Sequence, residues 1–493
     1  KLSIAQLSVQ YAGPALSPKS AYRAVGHVLA ANQIEHRLEA VFETGFLGDS
    51  WQAAWIEPEQ ETAIREKELS LMECIIPGPN HNGGHVRLKP CQVIRRDFIL
   101  DSPPRKARIY ASAHGIYELQ VNGQKTGINR LAPETSAYQH RLYYQSYDVT
   151  DLLRSGENSL SIILADGWWI GRIGLSGESC QYGDKLGLIL QLEITGPDGS
   201  QQLIGSDESF LSRRSHIDYA DLFIGERQDL VTPRAESWLP CRATDCGTMN
   251  LFAQPIAAIS ELAGLPAVSI FRTPSDELVA DFGQVIAGVV EMTIATESSC
   301  EIVLDHSEVL DASGNFFRNI LGRNKDQRDV FVCPPGRATL RPLFTYHGFR
   351  FVRISGIEEE NITGIKAIVL GTAIAERGCF SCSDPGLNQL QANIRQSAAG
   401  NMFSVPTDCP QREKMGWTGD IQVFAKTGCF NFDLYNFLDG WLANMRLEQK
   451  SDGEIPIVIP NYPLQQRMQK HNGKDNSSSA WSDACILVPL YLY

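Results

Sequence analysis

The sequence predicts a multidomain chain that runs from β to α: two or more β-sandwich domains, then the opening of an α-helical domain. Three observations carry that reading. Short segments of period two, separated by turn residues, fill residues 101–264 and again 265–372. At Asp384-Pro385 the apolar period lengthens to that of a helix. The length, 493 residues, exceeds what one core can organise. The expected divisions are a β-rich region and connector over 1–100, a β-sandwich over 101–264, a second over 265–372, and a helical domain over 373–493.

Taken in order, residues 49–58 form a tryptophan-anchored connector. Ile109, Ala111 and Ala113 then alternate with Arg108, Tyr110 and Ser112. Tyr117, Leu119 and Val121 repeat the pattern and stop at Asn122-Gly123, a hairpin turn signal. Leu160, Ile162 and Leu164 lead to Asp166-Gly167-Trp168-Trp169. In the second β region, Phe349, Phe351, Val352 and Ile354 are core candidates, with Arg350 and Arg353 near the opposite face. Asp384 is a good N-cap and Pro385 suits the first helical position. Leu387, Leu390, Ile394 and Ala398 share one face of the helix that follows. Asp420 is placed to cap a helix carrying Val423, Phe424 and Thr427. Leu434, Phe437, Leu438, Trp441, Leu442 and Met445 make a strong stripe. Trp481, Ala484, Cys485 and Val488 mark a fourth helix, disturbed by Pro489.

Bulk properties narrow the function. Hydrophobic residues make up 43%, so real cores are available. The net charge of −13 argues against nucleic acid and anionic membranes as partners, and suits a neutral substrate such as a sugar. No apolar run reaches the length of a membrane-spanning helix. The absence of an initiator Met favours a processed, periplasmic or extracellular protein over a cytoplasmic one. Cysteines are scattered. The lone Cys379-Phe380-Ser381-Cys382 pair has no second pair nearby and reads as two thiols leading into a helix, so no metal is expected. No dense acidic loop of the EF-hand kind is present.

The chemistry concentrates between Thr407 and Asp420. Three carboxylates, a guanidinium and an indole occur there within fourteen residues, broken by Pro410, Gly416 and Gly419. Crowded carboxylates repel, which keeps one of them protonated near neutral pH, as a general acid requires. Glu413 is the candidate acid, flanked by Asp408 and Asp420, with Arg412 expected to steady one aspartate. Against this stands the ordinary reading of a solvated loop acid, and of Asp420 as a plain helix cap. Trp417, between two glycines, serves equally as a sugar platform or a core anchor. Trp481 and Asp483, two residues apart, can aim a ring and a carboxylate into one cleft. His306, Glu308, Asp329 and His347 lie in the β region, where a histidine is more often a satisfied packing group than a ligand. Trp168-Trp169 could stack on sugar at a loop tip, though one of two adjacent indoles should pack inward.

These residues resemble the bacterial α-L-rhamnosidases, family 78 of the glycoside hydrolases. Residues 141–153 and Leu164-Ala165-Asp166-Gly167-Trp168-Trp169 resemble that family's N-terminal sandwich. Asp281-Phe282-Gly283-Gln284 and Tyr346-His347-Gly348-Phe349-Arg350 resemble the domain before its barrel. Residues 404–413, then Gly416-Trp417-Thr418-Gly419-Asp420, resemble its catalytic loop, and Trp481-Ser482-Asp483-Ala484 a later sugar-contacting stretch. The resemblance implies an (α/α)6 barrel, incomplete in this chain, and inverting release of terminal α-L-rhamnose from a rhamnose-containing glycoside or polysaccharide without a cofactor. It makes Glu413 the general acid. Asp408, Arg412, Trp417, Asp420, Trp481 and Asp483 become substrate-binding residues. The family's general base lies far downstream, so the expectation is that residues 1–493 alone are nearly inactive and expose an unfinished helical core. The rival readings are a barrel glycosidase for another terminal sugar and a non-catalytic carbohydrate-binding protein.

Overall fold

A computed structural model describes residues 11, 13–29, 35–48, 50–64, 88–175, 177–234, 237–245, 250–320, 325–463 and 477–492. A two-stranded ribbon, Ala21–Leu29 with Glu35–Glu43, precedes the larger sheets. Two sheets of seven and six strands then enclose one apolar core. The strand Lys106–His114 is central in the first, paired with Gly187–Thr195 and Leu142–Asp148. Its alternation is real, yet Tyr110 and Ser112 are buried as well as Ile109, Ala111 and Ala113. The second face is covered because Tyr110 packs edge-on against Phe46 and Tyr144. Gln92–Leu100, Gly156–Ala165 and Ile116–Val121 run through the second sheet. The hairpin expected at Asn122-Gly123 forms, with φ of 52° and 77°. Such positive values suit a two-residue turn and are met by asparagine and glycine at little strain. Trp168 and Trp169 are both buried, the latter stacked on His114 at 4.2 Å, so neither is a loop-tip sugar platform.

The strands of the second β region are joined by hydrogen bonds into one ten-stranded sheet. Its spine is the strand Leu278–Thr296, which pairs first with His347–Ser355 and then with Ile362–Thr372. A register shift between Asp281 and Ile286 interrupts the first pairing, and the change of partner falls at Gly288. Phe349, Phe351, Val352 and Ile354 are buried as expected, and Arg350 holds Asp281 through two 2.8 Å contacts. The sheet also takes Ile217–Asp221 and Gly225–Asp229, on the N-terminal side of the boundary expected near 264.

The helices are α1 (Pro385–Asn401), α2 (Thr418–Asn431), α3 (Tyr435–Glu448) and α4 (Ala484–Leu492). Asp384 caps α1 by accepting the Gly386 and Leu387 N–H groups, with Pro385 in the first turn. Cys382, just ahead of it, is clasped through its backbone by the Asn388 amide at 2.8 and 2.9 Å. Trp441 is buried on α3 and donates to the Ile459 carbonyl at 3.1 Å. The expected face of α2 is displaced: Ile421, Ala425 and Gly428 are buried, while Val423 is 79% exposed. Leu387, Leu390, Phe430, Ile486 and Leu490 are exposed too. No described helix is long and apolar enough to cross a membrane.

Candidate active site

The loop from Asp408 to Trp417 lies between the ten-stranded sheet and the helices, and each end is fastened. After α1, Met402–Phe403 and Val405–Pro406 form a small hairpin with Ser404 at φ 62°. The Asp408 N–H donates to the Met415 carbonyl, and its Oδ1 accepts the Met415 N–H, both at 3.0 Å. One aspartate therefore closes the loop into a ring. Gly348 lets the loop approach the sheet: a Cβ there would lie 2.9 Å from Pro410 Cγ and 3.0 Å from Gln411 Cβ. Gln411 Nε2 donates to Glu308 at 2.9 Å. Gly416 permits contact with the 457–459 segment, since a Cβ there would run into the Ile459 carbonyl. The Ile459 N–H donates to the Gly416 carbonyl at 2.8 Å, and the Thr418 N–H to Ile457 at 2.9 Å.

Glu413 is buried, with 11% of its side chain exposed. Trp417 Nε1–H donates to its Oε2 at 2.9 Å. Arg412 Nη2 stands 3.2 Å from its Oε1. That corrects one expectation: Arg412 steadies Glu413, not an aspartate. Trp417 also does more than offer a ring face, because its indole N–H orients the carboxyl. The Glu413 N–H donates to Cys409 Sγ at 3.2 Å, and the Cys409 thiol donates to Asp408 Oδ2 at 2.8 Å. Burial, then the Glu413 charge, push the Asp408 carboxyl up to about 6. Burial also raises Asp420, with Glu413 adding to it. Burial beside Asp408 pushes the Cys409 thiol up to about 12, so it is a neutral donor rather than a thiolate.

Asp420 is not the N-cap of α2. Trp417 occupies that position, and Asp420 lies in the first turn, where a carboxylate meets the positive end of the helix dipole. Trp481 joins the site from α4's approach: its indole covers Gly419, where an added Cβ would lie 2.7 Å from Nε1. It remains 41% exposed. Asp483 is not drawn in. It is exposed, its Oδ2 accepts the Ala480 N–H at 3.1 Å, and among the described residues no hydrogen bond joins it to the loop. Glu308, named in the sequence only among scattered groups of the β region, and Lys414 are further neighbours of the loop. Glu308 reaches it from the end of a distant strand through Gln411. Lys414 was in the motif itself.

Among the described residues, one group has metal-ligand composition: His306, Asp329 and His347, all fully buried. Its arrangement fits hydrogen bonding better than coordination. His347 Nε2–H donates to Asp329, with both oxygens at 3.1 Å, and His306 Nδ1–H donates to the Gln327 carbonyl at 3.0 Å. The two imidazoles stack at 4.1 Å instead of radiating from a shared point. Burial drives His306 down to about 3 and His347 well below its ordinary value, where the Lys414 charge adds to the effect.

Comparison with known proteins agrees with this architecture. Residues 102–260 match the α-L-rhamnosidase N-terminal domain, and residues 271–371 the bacterial α-L-rhamnosidase concanavalin-like domain. Residues 375–493 match the bacterial α-L-rhamnosidase 6 hairpin glycosidase domain. An α-L-rhamnosidase of Formosa agariphila is 31% identical over 470 residues, covering 92% of this chain and 48% of that protein. One of Streptomyces avermitilis is 34% identical over 416 residues, covering 81% of this chain and 39% of that protein. The solved α-L-rhamnosidase of Aspergillus terreus superposes with a TM-score of 0.83 at 29% identity, over 97% of this chain and 54% of that one. The S. avermitilis enzyme complexed with L-rhamnose gives 0.84 at 25%, over 98% and 62%. The chain belongs to the bacterial α-L-rhamnosidase family, glycoside hydrolase family 78. It spans about half the length, or less, of the curated relatives it matches.

Proposed function

We propose that this protein hydrolyses terminal non-reducing α-L-rhamnosides with inversion, and that Glu413 is its general acid. The observation that carries the reading is the Glu413 carboxyl, buried and oriented by the Trp417 indole N–H in a site it shares with Asp408 and Asp420. Burial, with the Glu413 charge adding to it, raises both aspartates beside it, so the site favours bound protons. Glu413 delivers a proton to the glycosidic oxygen as the C–O bond breaks, and the aglycone leaves as an alcohol. Water attacks the opposite face of the sugar, which requires a second carboxylate about 6.5–9.5 Å away.

In this reading Asp408, Arg412 and Asp420 bind sugar hydroxyls, and Trp417 and Trp481 wall the pocket. Asp483 contributes only if its side chain turns away from Ala480. The helices belong to an (α/α)6 barrel, and their exposed apolar side chains are of the kind a neighbouring hairpin covers. The substrate is a rhamnose-containing glycoside or polysaccharide. The test compares Glu413→Gln with the parent by calorimetry with L-rhamnose and by turnover of an aryl α-L-rhamnoside. A hydrolase keeps sugar binding and loses turnover. Equal turnover in both would refute the acid. A parent that binds rhamnose but releases no product, even with the helical domain extended to supply the second carboxylate, would leave a binding protein.

A further inference from the structure

Lys414 follows the acid directly and points the opposite way. Its backbone is left-handed, with φ 51°. Its residue is 4% exposed, and its ammonium donates to the Leu222 carbonyl at 2.5 Å and the Tyr346 carbonyl at 2.7 Å. It lies 3.7 Å from the centroid of the Tyr346 ring and 5.2 Å from that of Phe223. The Tyr346 ring in turn stacks on Phe403 at 4.0 Å. A lysine this deep is costly unless its charge is met. Asp221, fixed by Arg172 at 3.1 Å, and Asp329, fixed by His347, supply the opposite charge.

We propose that Lys414 is a positioning residue: its buried ammonium pins the turn of the loop to the Leu222 and Tyr346 carbonyls and thereby aims the Glu413 carboxyl at the pocket. The inference rests on the reading of Glu413 as the acid. Two other contacts, Asp408 with Met415 and Gln411 with Glu308, hold the ends and the outer edge of the loop. Neither ties the backbone immediately after Glu413 to the sheet, and the Glu413 N–H contact with Cys409 Sγ stays inside the loop. Lys414 does so, and it anchors there to two separate segments, the turn after Asp221 and the start of the strand His347–Ser355. The charged and titratable groups around it are Asp221 with Arg172, Asp329 with His347, Cys409 and Lys325. Burial lowers the lysine to about 7, opposed by the Asp221 and Asp329 carboxylates.

The test uses two aryl α-L-rhamnosides, one with a good leaving group that needs no proton and one with a poor leaving group that does. The readout is the ratio of kcat on the poor substrate to kcat on the good one, which is independent of the folded fraction. Lys414→Met should lower that ratio about tenfold or more with KM nearly unchanged, and Lys414→Gln, which keeps N–H donors, should lower it less. A Lys414→Met ratio equal to the parent's overturns the proposal. If that variant yields no soluble protein, the Lys414→Gln ratio decides in the same sense. Glu413→Gln separates the two levels. If its ratio falls while the Lys414 variants keep the parent's, only the positioning role fails. If its ratio is also unchanged, the acid assignment fails and the positioning role with it.

Discussion

The β part and the helical part treat their apolar residues differently. In the ten-stranded sheet, Phe349 is fully buried and meets Phe282 and His306 edge-on, at 5.6 and 4.8 Å. In the helices, Trp441 and Leu438 are buried as completely, yet Leu387, Leu390, Val423, Phe430, Ile486 and Leu490 face solvent. The candidate acid lies where the two parts meet. Its inner neighbour, Lys414, is fixed on the sheet side, whereas Trp417 opens the helical side at the start of α2. On the proposed reading, the sheet is the rigid reference and the helices are the wall of the sugar pocket. A site built this way tolerates changes on the exposed helical faces and fails when the sheet surface under the loop is altered.

Several substitutions break or sharpen that contrast. The largest effect is expected where each part is fully packed. Phe349→Ala and Trp441→Ala should each cost about 3–5 kcal/mol, read from urea unfolding. A loss of under 1 kcal/mol for Trp441→Ala would mean that the helical core is not cooperative with the rest. Next comes Gly348→Ala, whose new methyl would press on Pro410 and Gln411. Overpacking of this kind costs about 1–3 kcal/mol, and kcat should fall with it because the loop is displaced. Unchanged kcat would show that the sheet does not set the loop.

A smaller effect concerns pH. Asp408 is pushed up to about 6 in the folded protein, so it is protonated below that pH and ionised above it. An ionised carboxylate is the better acceptor of sugar hydroxyls. Rhamnose affinity should therefore rise about fivefold as pH increases through 6, and the rise should vanish in Asp408→Asn. The same shift has a stability sign. The folded state holds a proton that the unfolded chain releases near its ordinary carboxylate pKa of 3.8, so this group's contribution falls as pH rises from about 4 through 6. The smallest effect belongs to the open helical face: Val423→Ser should change stability by no more than about 0.5 kcal/mol.

Much of this was legible from residues alone, for local reasons. Period two marks strands, Asn122-Gly123 marks a positive-φ turn, and Asp384-Pro385 marks a helix start, because each signal is complete within a few residues. What escaped depends on partners distant in sequence. The burial of Tyr110 and Ser112 requires an aromatic cover from Phe46 and Tyr144. The pairing of Arg227 with Val330 is a parallel contact across a hundred residues and leaves no mark in either segment. In the loop the cluster of charged residue types was readable, but their pairing was not. Arg412 could reach either an aspartate or Glu413, and the left-handed backbone at Lys414 helps decide which side chains face the pocket. Asp420 lies a turn inside α2 for the same reason: Gly416 and Trp417 bond to the 457–459 segment, so α2 starts earlier than the aspartate.

The most direct measurement is the dependence of kcat on leaving-group pKa across a series of aryl α-L-rhamnosides, for the parent and for Glu413→Gln. Proton donation by residue 413 predicts a shallow dependence in the parent and a steep one in the variant, with losses of about 10²–10⁴-fold on the most basic leaving groups. Parallel lines of equal slope would contradict it.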